Sequence, residues 1–317
     1  MRVLILGAGA IGSVLGGFLA RAGHDVTLLG RAWHVDVVRR EGLRLTGLWG
    51  THHIRTLAVA TDPEAAAARG PFEWVLVCVK AHQTAGILPI LPRLLGPSTL
   101  VCALQNGLGN FETLLQVVSP ARLALGRVIF GAELEPGHAR VTVCADEVVI
   151  GAPDARFPST AAAALAQALK ASGVPARPTT SILPVIWAKV LYNCALNGLS
   201  TLLEVSYGVL ATHPVSPRVI RAIIEEAYQV AAAHRIALEP STAAAYTELL
   251  FATLIPATAS HRASMLQDVR RGHMTEIEAL NGALVRLGAQ VGVATPTNAL
   301  IARLVHAKEQ WMGVRSG

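Results

Sequence analysis

Short, wholly apolar runs alternate with amphipathic stretches through the first half of the chain, whereas the second half holds amphipathic stretches alone. Val3–Leu6 is apolar at every position, as expected for a strand covered on both faces of a parallel sheet. Ser13–Ala22 has helical periodicity, Gly23-His24 closes it, and Asp25–Leu29 reads as the next strand. Together they form a strand–helix–strand unit of about thirty residues. Trp74–Val79 and Thr99–Ala103 are further buried-strand candidates. Arg127–Ala132 and Ala139–Cys144 flank Glu135-Pro136-Gly137, a turn signal that predicts an antiparallel hairpin. Glu147–Gly151 is expected to continue that sheet, Pro158–Ser172 to form a helix, and Val174–Arg177 a last short strand. From Pro184 onward the spacing predicts helices over 186–202, 217–234, 242–253, 261–271, 275–291 and 296–311, punctuated by prolines. Strands followed by helices imply two domains, an α/β domain over 1–180 and an all-α domain over 181–317.

Composition narrows the class. At 317 residues the chain can bury two separate cores, and its 52% apolar content excludes disorder. Val3–Ala20 carries no charge, which superficially resembles a signal peptide, but five of its eighteen residues are glycine and weaken an apolar helix. Ile87–Leu108 is interrupted by Pro89, Pro92, Arg93 and Pro97, so no membrane span is expected. A net charge of +6 suits anionic small ligands, while the scattered basic residues form no nucleic-acid stripe. Cys78, Cys102, Cys144 and Cys194 are far apart with no histidine at ligand spacing, so no metal site is expected and the surroundings are read as reduced and cytoplasmic. The apolar helical faces of the second half suit either a homodimer interface or that half's own core.

The first strand runs into Gly7-Ala8-Gly9-Ala10-Ile11-Gly12, a fingerprint for a dinucleotide pyrophosphate. Gly7 permits the turn, Gly9 lets the backbone approach the phosphates, and Gly12 lets the helix pack on the strand. Ala10 and Ile11 open that helix, whose N–H groups face the anion. The second strand ends Leu28-Leu29-Gly30-Arg31, with no carboxylate before Asp36. An acidic residue there would hold an NAD ribose, whereas Arg31 can pair with a 2′-phosphate, so NADP (as NADPH) is the expected cofactor.

Lys80-Ala81-His82-Gln83 and Gln105-Asn106-Gly107 each follow a predicted strand, at the edge where a cofactor reaches. Lys80 reads equally as a snorkelling lysine, and Asn106 equally as a turn residue. Lys189, Asn193 and Asn197 are spaced i, i+4, i+8, which puts one cation and two amides on one face of an otherwise apolar helix. Such a stripe is costly without partners, and an oxygen-rich substrate or inter-helical bonds would supply them. Ser264 to Glu278 reads from spacing as a charged surface helix, which Gly272 can break or reorient.

These motifs together resemble the 2-dehydropantoate 2-reductase (ketopantoate reductase) family along nearly the whole chain. The resemblance rests on the glycine fingerprint, Lys80–Gln83, Gln105-Asn106-Gly107, Trp187-x-Lys189-x-x-x-Asn193-x-x-x-Asn197, and Ser264-Met-Leu-Gln-Asp-x-Arg with Thr275-Glu276-Ile. It implies a Rossmann-type NADPH-binding domain followed by an all-helical domain, and reduction of ketopantoate to (R)-pantoate for pantothenate synthesis. It further implies Lys189 as proton donor and Glu276 as the carboxylate that orients substrate or nicotinamide. Asn193, Asn197 and Ser264 then contact substrate; Gly7, Gly9, Gly12, Arg31, Lys80, Gln83 and Asn106 contact cofactor. Where relatives often carry Asn–Gly, this chain has Tyr207-Gly208. Reduction of a related 2-oxo acid on the same scaffold is therefore the second expectation, and a non-enzymatic NADP-binding protein the third.

Overall fold

The computed structural model describes residues 1–314, which divide into two compact units. One comprises 1–106 with 110–182, the other 107–109 with the chain from 183 onward.

Twelve strands run through the first unit: β1 (Arg2–Leu6), β2 (Asp25–Leu29), β3 (Leu43–Gly47), β4 (His52–Ile54), β5 (Ala58–Ala60), β6 (Trp74–Val77), β7 (Leu100–Ala103), β8 (Leu123–Arg127), β9 (Phe130–Glu135), β10 (His138–Cys144), β11 (Val148–Gly151) and β12 (Ala176–Thr179). Eight of them form one sheet in the order β12-β11-β8-β7-β6-β1-β2-β5, parallel from β5 through to β8. The chain builds outward from β1 to β2 and β5, then returns to lay β6 on the other side of β1. That reversal is a topological switch point, where dinucleotides bind at the strands' carboxyl ends. The central strands are apolar because both faces are covered: Val3, Leu4, Ile5, Val75 and Leu76 are fully buried.

The hairpin at Glu135-Pro136-Gly137 forms as predicted, β9 against β10, with Glu135 paired to His138 across the turn. It belongs to a separate four-stranded sheet, β4-β3-β10-β9. Two expectations need correction. Arg127–Ala132 is not one strand, since β8 ends at Arg127 in the large sheet and β9 starts at Phe130 in the small one. Nor does Val148–Gly151 continue the hairpin: it pairs antiparallel to β8 and parallel to β12. The reason is periodicity, because β11 is buried at every position whereas β10 alternates buried and exposed.

The second unit is helical. Its central helix, Ile182–Leu203, is 22 residues long and apolar enough by length and composition to cross a membrane, with a mean hydropathy of 1.3. More than half of that stretch is buried, and Trp187, Val190, Leu191, Cys194 and Leu196 form the core with Ile220, Ile223 and Ile224 of the helix Ser216–Ala233. Two predicted helices are broken. The segment 242–253 runs as Ala243–Leu249 and then widens into a π-turn over Leu250–Leu254, ahead of Pro256, which offers no N–H to the ladder. The segment 275–291 splits at Leu280 into a 3₁₀ turn, Ile277–Ala279, and a helix, Asn281–Val291. Asn281 fixes the break because its buried amide donates to the Cys194 carbonyl and to Asn298 Oδ1. Tyr207–Thr212 adds a short helix that the periodicity did not indicate.

Candidate functional site

Backbone register builds the first half of the site. Leu6 pairs with Leu29 on one side and with Val77 on the other, and Val77 pairs with Ala103. Four strand ends therefore lie in one row. The segments that follow them, Gly7–Gly12, Gly30-Arg31, Cys78–Gln83 and Leu104–Asn106, line one edge of the sheet.

The glycines there have different constraints. Gly7 has φ +108°, and a Cβ on it would lie 2.6 Å from the Val79 nitrogen. On Gly12 a Cβ would lie 2.2 Å from the Gly7 carbonyl oxygen. Both are required by the fold. At Gly9, by contrast, a Cβ would meet nothing within 4 Å. Gly9 is the N-cap of the helix Ala10–Arg21 and gives it no side-chain cap, so the first-turn N–H groups of Ala10 and Ile11 open onto that space. A cradle of this kind fits a pyrophosphate.

Gly30 packs the end of β2 on the loop, where a Cβ would come 2.6 Å from that of Ala8. The exposed Arg31 follows at the N-cap of the helix Ala32–Glu41. Asp36 is ion-paired with Arg39 on the same helix. The sequence between β2 and Asp36 carries no carboxylate. Lys80, Gln83 and Asn106 are all half-buried. Behind them a polar network joins the two loops: Gln105 Nε2 donates to Thr84 Oγ1 at 2.7 Å, Thr84 Oγ1 lies 2.9 Å from Asn110 Oδ1, and Asn110 Nδ2 donates to the Asn106 carbonyl at 2.8 Å.

Sequence reasoning missed a second support of the glycine loop. His34 Nδ1 lies 3.1 Å from the Gly137 nitrogen and 3.3 Å from the Glu135 carbonyl oxygen, and its Nε2 lies 3.0 Å from Ser13 Oγ. Ser13 in turn lies 3.5 Å from the Ala8 carbonyl. Burial holds His34 below the usual histidine range. Nothing in the spacing of Ser13, His34 and Gly137 announces this chain of bonds.

Elsewhere in this unit, burial pushes the Cys78 thiol up to about 12 and raises Cys102 as well, so both behave as small apolar groups. Among the described residues no three histidine, cysteine or acidic side chains gather as metal ligands.

The second unit places Lys189, Asn193 and Asn197 on the Ile182–Leu203 helix, the first two half-buried and Asn197 buried. Of these, Asn197 is joined to a residue that spacing did not connect to it, since the Tyr207 hydroxyl donates to Asn197 Oδ1. Ser264 is exposed at the first position of the helix Ser264–Arg270, while Glu276 is buried at the N-cap of the following 3₁₀ turn. Gly272, at φ +70°, ends the helix between them, so the segment 264–278 is broken at the glycine that the sequence offers for it. The Ala263 N–H donates to Ser200 Oγ and Arg270 pairs with Glu204 at 2.6 Å, which docks this helix against the end of the central one.

This chain matches the profile of Ketopantoate reductase PanE/ApbA over residues 3–155 and that of its C-terminal domain over 181–309. It is 38% identical over 312 residues to a 2-dehydropantoate 2-reductase of Aquifex aeolicus (strain VF5), covering 98% of this chain and 97% of that one. Among solved structures, a PanE/ApbA family ketopantoate reductase from Ralstonia eutropha JMP134 is 33% identical with a TM-score of 0.88, covering 98% of this chain and 99% of the other. A D-mandelate dehydrogenase in complex with NADH and anilino(oxo)acetate is 29% identical with a TM-score of 0.86, covering 99% and 100%.

Proposed function

The chain belongs to the ketopantoate reductase family, and from that premise we propose that it reduces 2-dehydropantoate to (R)-pantoate with NADPH, Lys189 acting as general acid. The observation that carries this reading is the Lys189, Asn193, Asn197 face of a buried helix in a chain that also has the glycine cradle. Residues 1–180 then bind the cofactor and residues 181–317 the substrate. Gly7, Gly9 and Gly12 shape the backbone around the pyrophosphate, with the N–H groups of Ala10 and Ile11 facing it. Arg31 takes the 2′-phosphate through its guanidinium fork, and Lys80, Gln83 and Asn106 contact the rest of the dinucleotide. When bound, the reduced nicotinamide supplies the hydride.

Negative charge develops on the keto oxygen as its carbon is reduced. The Lys189 ammonium stabilises that charge and then gives up a proton to it. Asn193, Asn197 and Ser264 hold the carboxylate and the remaining oxygens of the substrate, and Glu276 orients substrate or nicotinamide. The four free cysteines accord with a reduced, cytoplasmic setting.

A second reading has specific support. The likeness to D-mandelate dehydrogenase and the Tyr207–Asn197 bond both favour a 2-oxo acid without a far hydroxyl. The test is NADPH absorbance with ketopantoate and a panel of 2-oxo acids, for wild type and Lys189→Ala. Turnover of ketopantoate well above the other acids, lost in the variant, supports the first reading. Preference for another 2-oxo acid selects the second, and no NADPH oxidation with any of them overturns both.

A further inference from the structure

Tyr207 is held from several sides. Its N–H donates to the His261 carbonyl at 3.0 Å and the next N–H, of Gly208, to the Ala259 carbonyl at 2.9 Å. Its ring packs edge-on against Tyr192, with centroids 5.8 Å apart, and lies 5.2 Å from the His261 ring. Only 2% of the residue is exposed. The hydroxyl meets Asn197, itself 5% exposed.

The direction of that bond follows from donor and acceptor counting. A phenol carries one hydrogen and an amide carries two. If Asn197 turned its nitrogen toward Tyr207, the phenol hydrogen would be left buried with no acceptor, a penalty that native interiors avoid. Burial also pushes the Tyr207 phenol upward, so it keeps its hydrogen across the working range. Tyr192 does not compete for Asn197. Thr258 Oγ1 donates to the Leu254 carbonyl at 2.7 Å and therefore accepts from the Tyr192 hydroxyl, also at 2.7 Å.

We propose that Tyr207 is a specificity-determining positioning residue: by donating to Asn197 Oδ1 it fixes which way that amide faces, so that Asn197 meets a substrate with its N–H groups. Together with the Lys189 ammonium, that makes this part of the site a set of donors. It suits the acceptor oxygens of a 2-oxo acid, its carboxylate or carbonyl, and turns the Asn197 oxygen away from a substrate hydroxyl. The inference rests on the reductase reading above and goes beyond it by stating which polarity of substrate group the site rewards.

The test compares wild type with Tyr207→Phe on a matched pair, ketopantoate and 3,3-dimethyl-2-oxobutanoate, which differ only in the far hydroxyl. Removing the phenol hydrogen frees Asn197 to turn its oxygen toward the substrate. The ratio of kcat/KM for the hydroxylated over the deoxy acid is expected to rise about threefold to tenfold, the range of one hydrogen bond. A merely structural role would lower both values together and leave the ratio unchanged. A ratio unmoved in the variant, or moved toward the deoxy acid, overturns the inference while the reductase reading stands. Wild type that reduces neither acid overturns the reading and this inference with it. Should Tyr207→Phe fail to fold, Asn197→Asp serves, because it replaces both amide hydrogens with an acceptor. It is expected to raise KM for both acids at least tenfold with little change in NADPH affinity, and an unaltered KM overturns the inference.

Discussion

The sheet edge of the first unit and the helical face of the second position their polar groups by different means. At the sheet edge the groups are largely backbone and lie where parallel register puts them, so Leu6, Leu29, Val77 and Ala103 bring four loops into one row. On the helical face they are side chains, and for Asn197 the orientation depends on a neighbour from another element. Its Oδ1 accepts from the Tyr207 hydroxyl. Substitutions should therefore act through shape and close approach in the first unit, and through chemistry in the second.

The largest expected effect sits on the helix. Lys189→Ala should lower kcat by about 10²–10⁴, the usual range for a general acid, with little change in melting temperature. Turnover within tenfold of wild type at saturating NADPH would remove the lysine from the mechanism.

The glycine loop offers a sharper contrast. Gly12→Ala forces a Cβ to 2.2 Å from a backbone oxygen and should cost about 1–3 kcal/mol of stability together with NADPH affinity. Gly9→Ala meets no protein atom, so stability should stay within about 0.5 kcal/mol while NADPH binding still weakens. Denaturant unfolding and NADPH fluorescence titration separate the two. Equal stability losses would mean that the space at Gly9 is not reserved for a ligand.

Arg31→Ala is expected to raise KM for NADPH about tenfold and that for NADH less than twofold, since only the former carries the 2′-phosphate. Parallel changes would reject Arg31 as the discriminating group.

The smallest effects are opposite pH responses in the two units. Burial holds His34 below its ordinary value, so the unfolded chain binds the proton more readily and stability is lost as pH falls through about 6.5. Burial also opposes the proton on His306, but its bonds to Glu278 and Glu309, each 2.7 Å, outweigh that and raise it. The stabilisation from His306 is thus fully present below about 6.5 and lost as pH rises through the raised value. Melting curves from pH 5 to 8 should flatten at the acid end in His34→Gln and lose their acid-side gain in His306→Gln. Identical profiles for wild type and both variants would show that neither ring titrates in these environments.

Legibility differs between the units in the same way. The βαβ opening, its glycines and the cation–amide stripe could be read directly, because consecutive residues within one element carry the signal. Order along the chain points Glu147–Gly151 to the hairpin's sheet, whereas the unbroken apolar run Val148–Ile150 marks a strand covered on both faces, as the large sheet requires. The break at Leu280 had no local warning, since it depends on Asn281 reaching Cys194 and Asn298. The start of the final helix is legible from Pro296 and is also held from afar: the Glu226 carboxylate, 72 residues away, accepts the Asn298 N–H at 2.9 Å and its side-chain amide at 2.7 Å.

The amino-acid order by itself determined the α/β-then-α division, the glycine loop after β1, the absence of an acid between β2 and Asp36, and which helix carries the polar face. Those features are set by short-range periodicity and by the steric needs of glycine. Tertiary structure alone decided which sheet each late strand joined, which histidine lies beneath the glycine loop, and which end of Asn197 meets Tyr207. Each of these depends on a hydrogen-bond partner far away in the chain, and the direction of a hydrogen bond is fixed only once both partners are in place.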